Sequence, residues 1–424
     1  VVGWIVVAGI GLALTALAVH DGAQLGTASA PFLGRYRLQL GPGSLLAPAV
    51  AAAVIVSTAR GWLDRLTWPV ILFIGYGAGL GWALALALVD GSAGLTRALA
   101  SPDEYLADVP AVDSDPAAFI RQFNAHAAEH SVATRGHPPA PVLLLWCLNR
   151  IGISNHLALG LLLTAIGALT VPLVLAAARD ACGEVAARRY LPVLALAPYA
   201  IWTAVSLDAV VAALGAAALA AGVRASARQR TGWRATGWAG VAGMLTGIAA
   251  LFSYAAPWLG LSVVFMYFAR RRPFLNLVTG LAALVPVLLA HVLGFGWVDG
   301  LRAAEVDYAI RVEPYRSVVW WSGISLVALV LAAGPPLFTS LRKARNTPAW
   351  PFLVGAAIAV VFSVLAGLAR GGVEHAWLPF FPWLTVAAVA PERQGGPPVP
   401  PPLVPVTLGA LVAVVVEAVL ATPW

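Results

Sequence analysis

Charge is what this sequence has least of. Only 11% of its 424 residues are charged, against 60% hydrophobic and a mean hydropathy of +0.84. Soluble domains run about 45–50% apolar and about 25% charged, so the polar residues here are too few to cover a water-facing surface. Soluble enzymes and disordered chains are excluded together. Cysteine is scarce too: Cys147 and Cys182 stand alone, without metal-ligand spacing, and no disulfide framework is implied. Lysine is almost missing. Lys343 is one of 26 basic residues and all the others are Arg, a composition expected of a GC-rich, actinobacterial type of genome. A pI near 9.8 does not point to nucleic acid, because the arginines fall in short clusters between apolar runs, where the positive-inside rule accounts for them.

What the chain does have is long apolar runs. They fall at 1–19, 44–59, 66–89, 156–178, 190–205, 208–223, 238–254, 255–269, 275–295, 318–338, 351–369, 377–390 and 403–420. A bilayer-spanning helix takes about 20 residues, so these are about 13 candidate spans, or 11 to 13 where a Pro or an acid separates close neighbours. The sequence predicts an all-α polytopic membrane protein forming a single transmembrane domain over 1–424. The first run lacks a basic n-region and is longer than a signal-peptide core, so it reads as a span. With the amino terminus in the cytoplasm, 16 of the 26 basic residues lie inside, including the runs 224–234 and 270–272. Fourteen of the 19 acids and all seven histidines then collect on the outer side. The expected location is the cytoplasmic membrane, multi-pass, with the chemistry extracytoplasmic.

The longest polar stretch is the outer loop 90–141, and long loops of this kind are usually functional. It holds Ser101-Pro102-Asp103-Glu104-Tyr105 and Arg135-Gly136-His137-Pro138-Pro139. Ser101, Pro102 and Glu104 also have the spacing of a capping box, so the acids could simply start a helix. Asp115-Pro116 marks a second start, and a helix over 116–130 would put Phe119, Ile120 and Phe123 on one side, suited to a membrane surface. The piece 139–150 is too short to span. His126 and His130 have zinc-like spacing around Glu129, but on such a helix they read better as a wetted face. Asp208 stands where two apolar runs meet, either in a site or as a plain N-cap. Glu417, inside the last run, is assigned no role.

An acid pair opening a long outer loop, interfacial helices, then His-Pro-Pro and a Leu-rich stretch resembles the GT-C superfamily of membrane glycosyltransferases. That superfamily includes protein O-mannosyltransferases, the lipid A aminoarabinose transferase and actinobacterial mannosyl- and arabinosyltransferases. Pro198 with Asp208 ten residues on is similar to a second family element, and the run 370–382, Arg-Gly-Gly-Val-Glu-His-Ala-Trp-Leu-Pro-Phe-Phe-Pro, to a late outer one. The resemblance covers 66–390; 1–65 adds two spans, and 391–424 is a Pro-rich linker with a last span. His375 departs from the usual Arg or Tyr.

The resemblance implies transfer of a mannose- or arabinofuranose-type sugar, with inversion, from a polyprenyl-phosphate donor to a hydroxyl of an envelope glycan, glycolipid or protein. An alcohol needs a carboxylate to take its proton as it attacks, and Asp103 is the candidate base. Glu104, Asp208 and His137 complete the expected catalytic set. The leaving lipid phosphate needs cations, for which Arg370, Arg311, Arg316 and Arg135 are candidates in that order. Tyr105, Glu374 and His375 are candidates for acceptor or sugar. The resemblance fixes no cofactor; Glu104 and Asp208 could hold a divalent cation. The alternative is a transporter or flippase of lipid-linked sugars, which needs ionisable groups near the bilayer midplane and broken helices such as the one expected at Gly334-Pro335-Pro336.

Overall fold

The structure, a computed structural model, describes residues 1–113, 115–344, 346–393, 395–397 and 399–422. Arg345, counted with the inner basic residues, lies outside the described residues. Helices dominate. Among the described residues the strands are one short pair, Arg35–Tyr36 antiparallel to Leu420–Ala421.

Five helices are long and apolar enough to cross a membrane: Val2–His20, Trp68–Ala100, His156–Cys182, Leu207–Ala225 and Phe274–Val292. Val318–Ala333 with Pro336–Arg342 makes a sixth if the pair counts as one span, bent by 104°. The bend falls at the expected Gly-Pro-Pro break, where Gly334 takes φ +71 and two prolines lack the N–H that would continue the ladder. Gly43–Ala59, Ala140–Arg150, Ala256–Ala269, Trp350–Leu365 and Leu403–Val419 are shorter apolar helices of 10–17 residues. Thirteen is thus the number of apolar runs rather than of full-length helices. The run 190–205 is not one helix: Glu184–Ala195 ends, Pro198–Trp202 forms a 3-10 turn, and a new helix opens at Leu207. Pro198, without an N–H to donate, keeps the first helix from continuing.

Packing without a water-driven force between helices favours close backbone approach through small residues. Helix Gly232–Ala250 meets Phe274–Val292 in this way. A Cβ on Gly243 or Gly247 would come within 2.2 Å of the Thr279 or Ala283 carbonyl oxygen. The opposite side of Phe274–Val292 exposes Leu277, Leu281, Leu284 and Leu288, the surface a lipid-facing helix should have.

The ion pairs support the two-sided charge assignment. Arg189 meets Asp64 at 3.0 Å, Arg224 meets Asp180 at 3.5 Å and Arg179 meets Glu184 at 2.7 Å, all residues expected inside. Arg135 meets Asp307 at 3.2 Å and Arg370 meets Glu313 at 2.9 Å, all expected outside. Among the described residues no ion pair joins a residue expected inside to one expected outside. Asp208 and Arg224 begin and end one helix, so the two faces stand about 24 Å apart at 1.5 Å per residue.

Candidate active site

At the face that gathers the acids lies a cavity of about 450 Å³. Three stretches of chain supply its carboxylates and its arginine. The first is the loop opening with Ser101. No helix begins at Pro102, contrary to a capping box: the Ser101 hydroxyl accepts from the Asp103 N–H at 3.2 Å, and Glu104, the residue before the turn Tyr105–Asp108, makes no side-chain cap bond. Both carboxylates are left to line the cavity with Tyr105. Asp103 is held from behind, its carbonyl accepting from the Ala133 N–H at 2.9 Å.

The second stretch is the 3-10 turn and the helix start after it. Here Ser206, not Asp208, is the N-cap; its hydroxyl accepts from the Asp208 N–H at 3.1 Å. The Asp208 carboxylate is therefore available to the cavity, where His375 Nδ1 stands 3.3 Å from one oxygen and His137 Nε2 4.0 Å from the other. His137 is oriented by a 2.9 Å contact of Nδ1 with the Ala133 carbonyl and by the edge of Tyr105, ring centroids 5.5 Å apart.

The third stretch is Arg316 with Gly371-Gly372. Arg316 donates to the Arg370 carbonyl at 2.8 Å and stands in the cavity wall. It passes so near Gly371, at φ +96, that a Cβ there would lie 2.9 Å from Arg316 Nη1.

Burial pushes the Glu104 carboxyl up. His375 opposes, the negative charges of Asp208 and Asp103 add to the rise, and the result is about 7. Burial also raises Glu374, which is completely buried and does not line the cavity. Glu374 accepts instead from the Leu33 N–H at 3.3 Å, tying the segment between the first two helices to the site.

Of the four arginines expected to meet a lipid phosphate, Arg316 alone is among the described residues lining the cavity. Arg370 is engaged with Glu313 and with the Gly367 carbonyl. Arg311 and Arg135 both turn to Asp307. The zinc-like pair is not on one helix: Pro116–Gln122 stops early, with Asp115 capping it, and a 3-10 turn follows at Ala127–Glu129. The amphipathic helix expected to 130 therefore ends at Gln122, and Phe123 stacks on His130, ring centroids 4.7 Å apart. Burial raises the nearby Asp108 carboxyl, but hydrogen bonds from His130, Thr134 and Ser131 outweigh it and hold it at about 2. Among the described residues no group of three or more His, Cys, Asp or Glu could hold a metal ion.

Sequence reasoning missed Gly26, Thr27 and Leu33, which close one side of the cavity, and Trp202, which packs on Phe32 at 4.9 Å. The available signal was loop length: 21–42 is long for a plain connection between two helices.

Fold and site define a polytopic helical membrane protein with a carboxylate- and imidazole-lined cavity at one face. No protein-family model matches the chain, and no curated protein matches it. Among solved structures it is similar to ArnT from Cupriavidus metallidurans in the apo state, at 20% identity over 65% of this chain and 54% of that one, TM-score 0.45. The same protein bound to undecaprenyl phosphate gives 19%, 67%, 58% and 0.44. The Archaeoglobus fulgidus oligosaccharyltransferase in complex with Zn and sulfate gives 16%, 68%, 45% and 0.46. The chain spans about half the length of these structures.

Proposed function

We propose that this chain is a membrane glycosyltransferase of the GT-C type. It takes a sugar of mannose or arabinofuranose type from a polyprenyl-phosphate donor. It passes that sugar with inversion to a hydroxyl of an envelope glycan, glycolipid or protein on the extracytoplasmic face of the cytoplasmic membrane. The observation that carries this reading is the convergence of Asp103, Glu104, Asp208, His137 and His375 on one cavity walled by Arg316. A transporter would need its ionisable groups near the midplane. Here Asp208 sits at the very start of its helix.

In the proposed reaction Asp103 takes the proton of the attacking hydroxyl, which converts a poor nucleophile into an adequate one. Glu104, protonated up to about pH 7, donates a hydrogen bond to the sugar or acceptor. Burial, with a smaller contribution from the charges of Asp208 and Asp103, is what favours the neutral form of Glu104. Asp208 orients the imidazoles of His137 and His375 toward the substrates. Arg316 meets the charge that accumulates on the departing lipid phosphate, and its buried setting strengthens that interaction. Tyr105 offers an aromatic wall.

The test is transfer by purified protein from a panel of polyprenyl-phosphate sugars to a soluble acceptor series, beside an Asp103→Asn variant. Transfer by the native protein and a fall of about 10²–10⁴-fold in the variant is expected. Equal transfer by both removes Asp103 as base.

A further inference from the structure

A second cleft lies next to the first, and the function proposed above does not use it. It encloses about 600 Å³ between the strand pair and the outer loop, lined by Gly34, Arg35, Tyr36, Arg37, Arg97 and the carboxy-terminal strand. The two cavities share walls: Leu33 and Ala98 line the first, and their chain neighbours Gly34 and Arg97 line the second.

Strand geometry explains the concentration of charge. Side chains two apart on a strand point the same way, so Arg35 and Arg37 are presented together. The strand is fixed by pairing with Leu420–Ala421 and by the Arg37 and Gln39 N–H groups, which donate to the Val419 and Ala418 carbonyls at 2.9 and 2.8 Å. Tyr36, between the two arginines, ties its hydroxyl to the Ala30 carbonyl at 3.1 Å. Arg97 is committed to Asp90 and faces Glu417 of the last helix. Arg35 and Arg37 meet no carboxylate among the described residues. Two guanidiniums that meet no carboxylate among the described residues therefore border a cleft large enough for a phosphate, and guanidinium is the side chain best matched to phosphate oxygens. Immediately beyond them Leu38 and Leu40 are 70% and 76% exposed, apolar surface that suits hydrocarbon rather than water.

We propose that this cleft binds the phosphate headgroup of a membrane lipid, with Arg35 and Arg37 on the phosphate. The site is separate from Arg316 and does not depend on transferase activity.

The experiment is native mass spectrometry of the full chain in detergent, native and with Arg316→Ala to remove the proposed donor site, titrated separately with undecaprenyl phosphate, phosphatidylglycerol and inorganic phosphate. At least one of the two lipids should bind, at least tenfold more tightly than inorganic phosphate, and the lipid that binds identifies the source. Binding should weaken at least tenfold in Arg35→Ala/Arg37→Ala. The Arg35→Lys/Arg37→Lys variant, which keeps the charge, should recover part of it and so separates loss of binding from loss of fold. Unchanged lipid binding in the double Ala variant, equal affinity for inorganic phosphate, or loss in Arg316→Ala instead would overturn the proposal.

Discussion

Glu104 is the residue whose titration falls within the working range of an enzyme, and this gives two predictions of known sign. If its neutral form is needed, transfer declines as pH rises through about 7. In Glu104→Gln, a permanent neutral donor, that alkaline decline should vanish in a kcat/KM profile. A rise through pH 7 in the native protein would make Glu104 the base and Asp103 a bystander. Stability moves with the same proton. The folded state holds it to about 7 and the unfolded chain releases it near 4.5, so stability is lost as pH climbs between those values. Glu104→Gln should remove that loss, roughly 3 kcal/mol, visible as a melting temperature raised at pH 8 but not at pH 4. Asp103, Glu104, His137, Asp208 and His375 were all legible in the sequence, because scarce ionisable residues near Pro and Gly advertise themselves. The choice among four arginines was not, since only tertiary packing decides that Asp307 and Glu313 occupy three of them.

The short element joining Trp202 to helix Leu207–Ala225 sets the cavity floor. Val205 adopts φ +60, a region costly for a β-branched residue. It is held there by the Thr164 hydroxyl, which accepts its N–H at 3.0 Å. Val205→Gly relieves the strain but deletes a buried side chain, so stability should fall by about 1–2 kcal/mol, and transfer should fall with it because the cavity loses a fixed wall. Unchanged transfer in a folded variant would show that the strain has no functional use. Ser206→Ala should cost about 1 kcal/mol through the lost cap, measured by thermal melting. The helices themselves follow hydropathy well, but their breaks do not. A Pro announces the interruption at 198, yet nothing local reveals that the chain then turns inward to line a cavity.

For the molecule as a whole, sidedness is the strongest regularity, and the two cysteines test it without any mutation. Cys147 is exposed on Ala140–Arg150, on the face predicted to be outer, and Cys182 ends a helix on the other face. A membrane-impermeant maleimide applied to intact cells should label Cys147 alone. Labelling of Cys182 alone would invert the topology and with it the proposed site of reaction. The class of protein was readable from composition because burying charge in lipid is costly everywhere along the chain. The role of the first helical pair was not readable, since contacts between residues 296 or more positions apart leave no local pattern.

Those distant contacts bear on engineering. Leu33 leans on Glu374, Trp321 donates its indole N–H to the Leu25 carbonyl at 3.1 Å, and Arg35–Tyr36 is laced to the last strand. The opening helices are therefore not a detachable prefix. A chimera that grafts 66–390 onto another scaffold would carry the carboxylates and histidines but leave their chamber with one side missing, and any exchange of parts has to move 21–42 and 403–422 together.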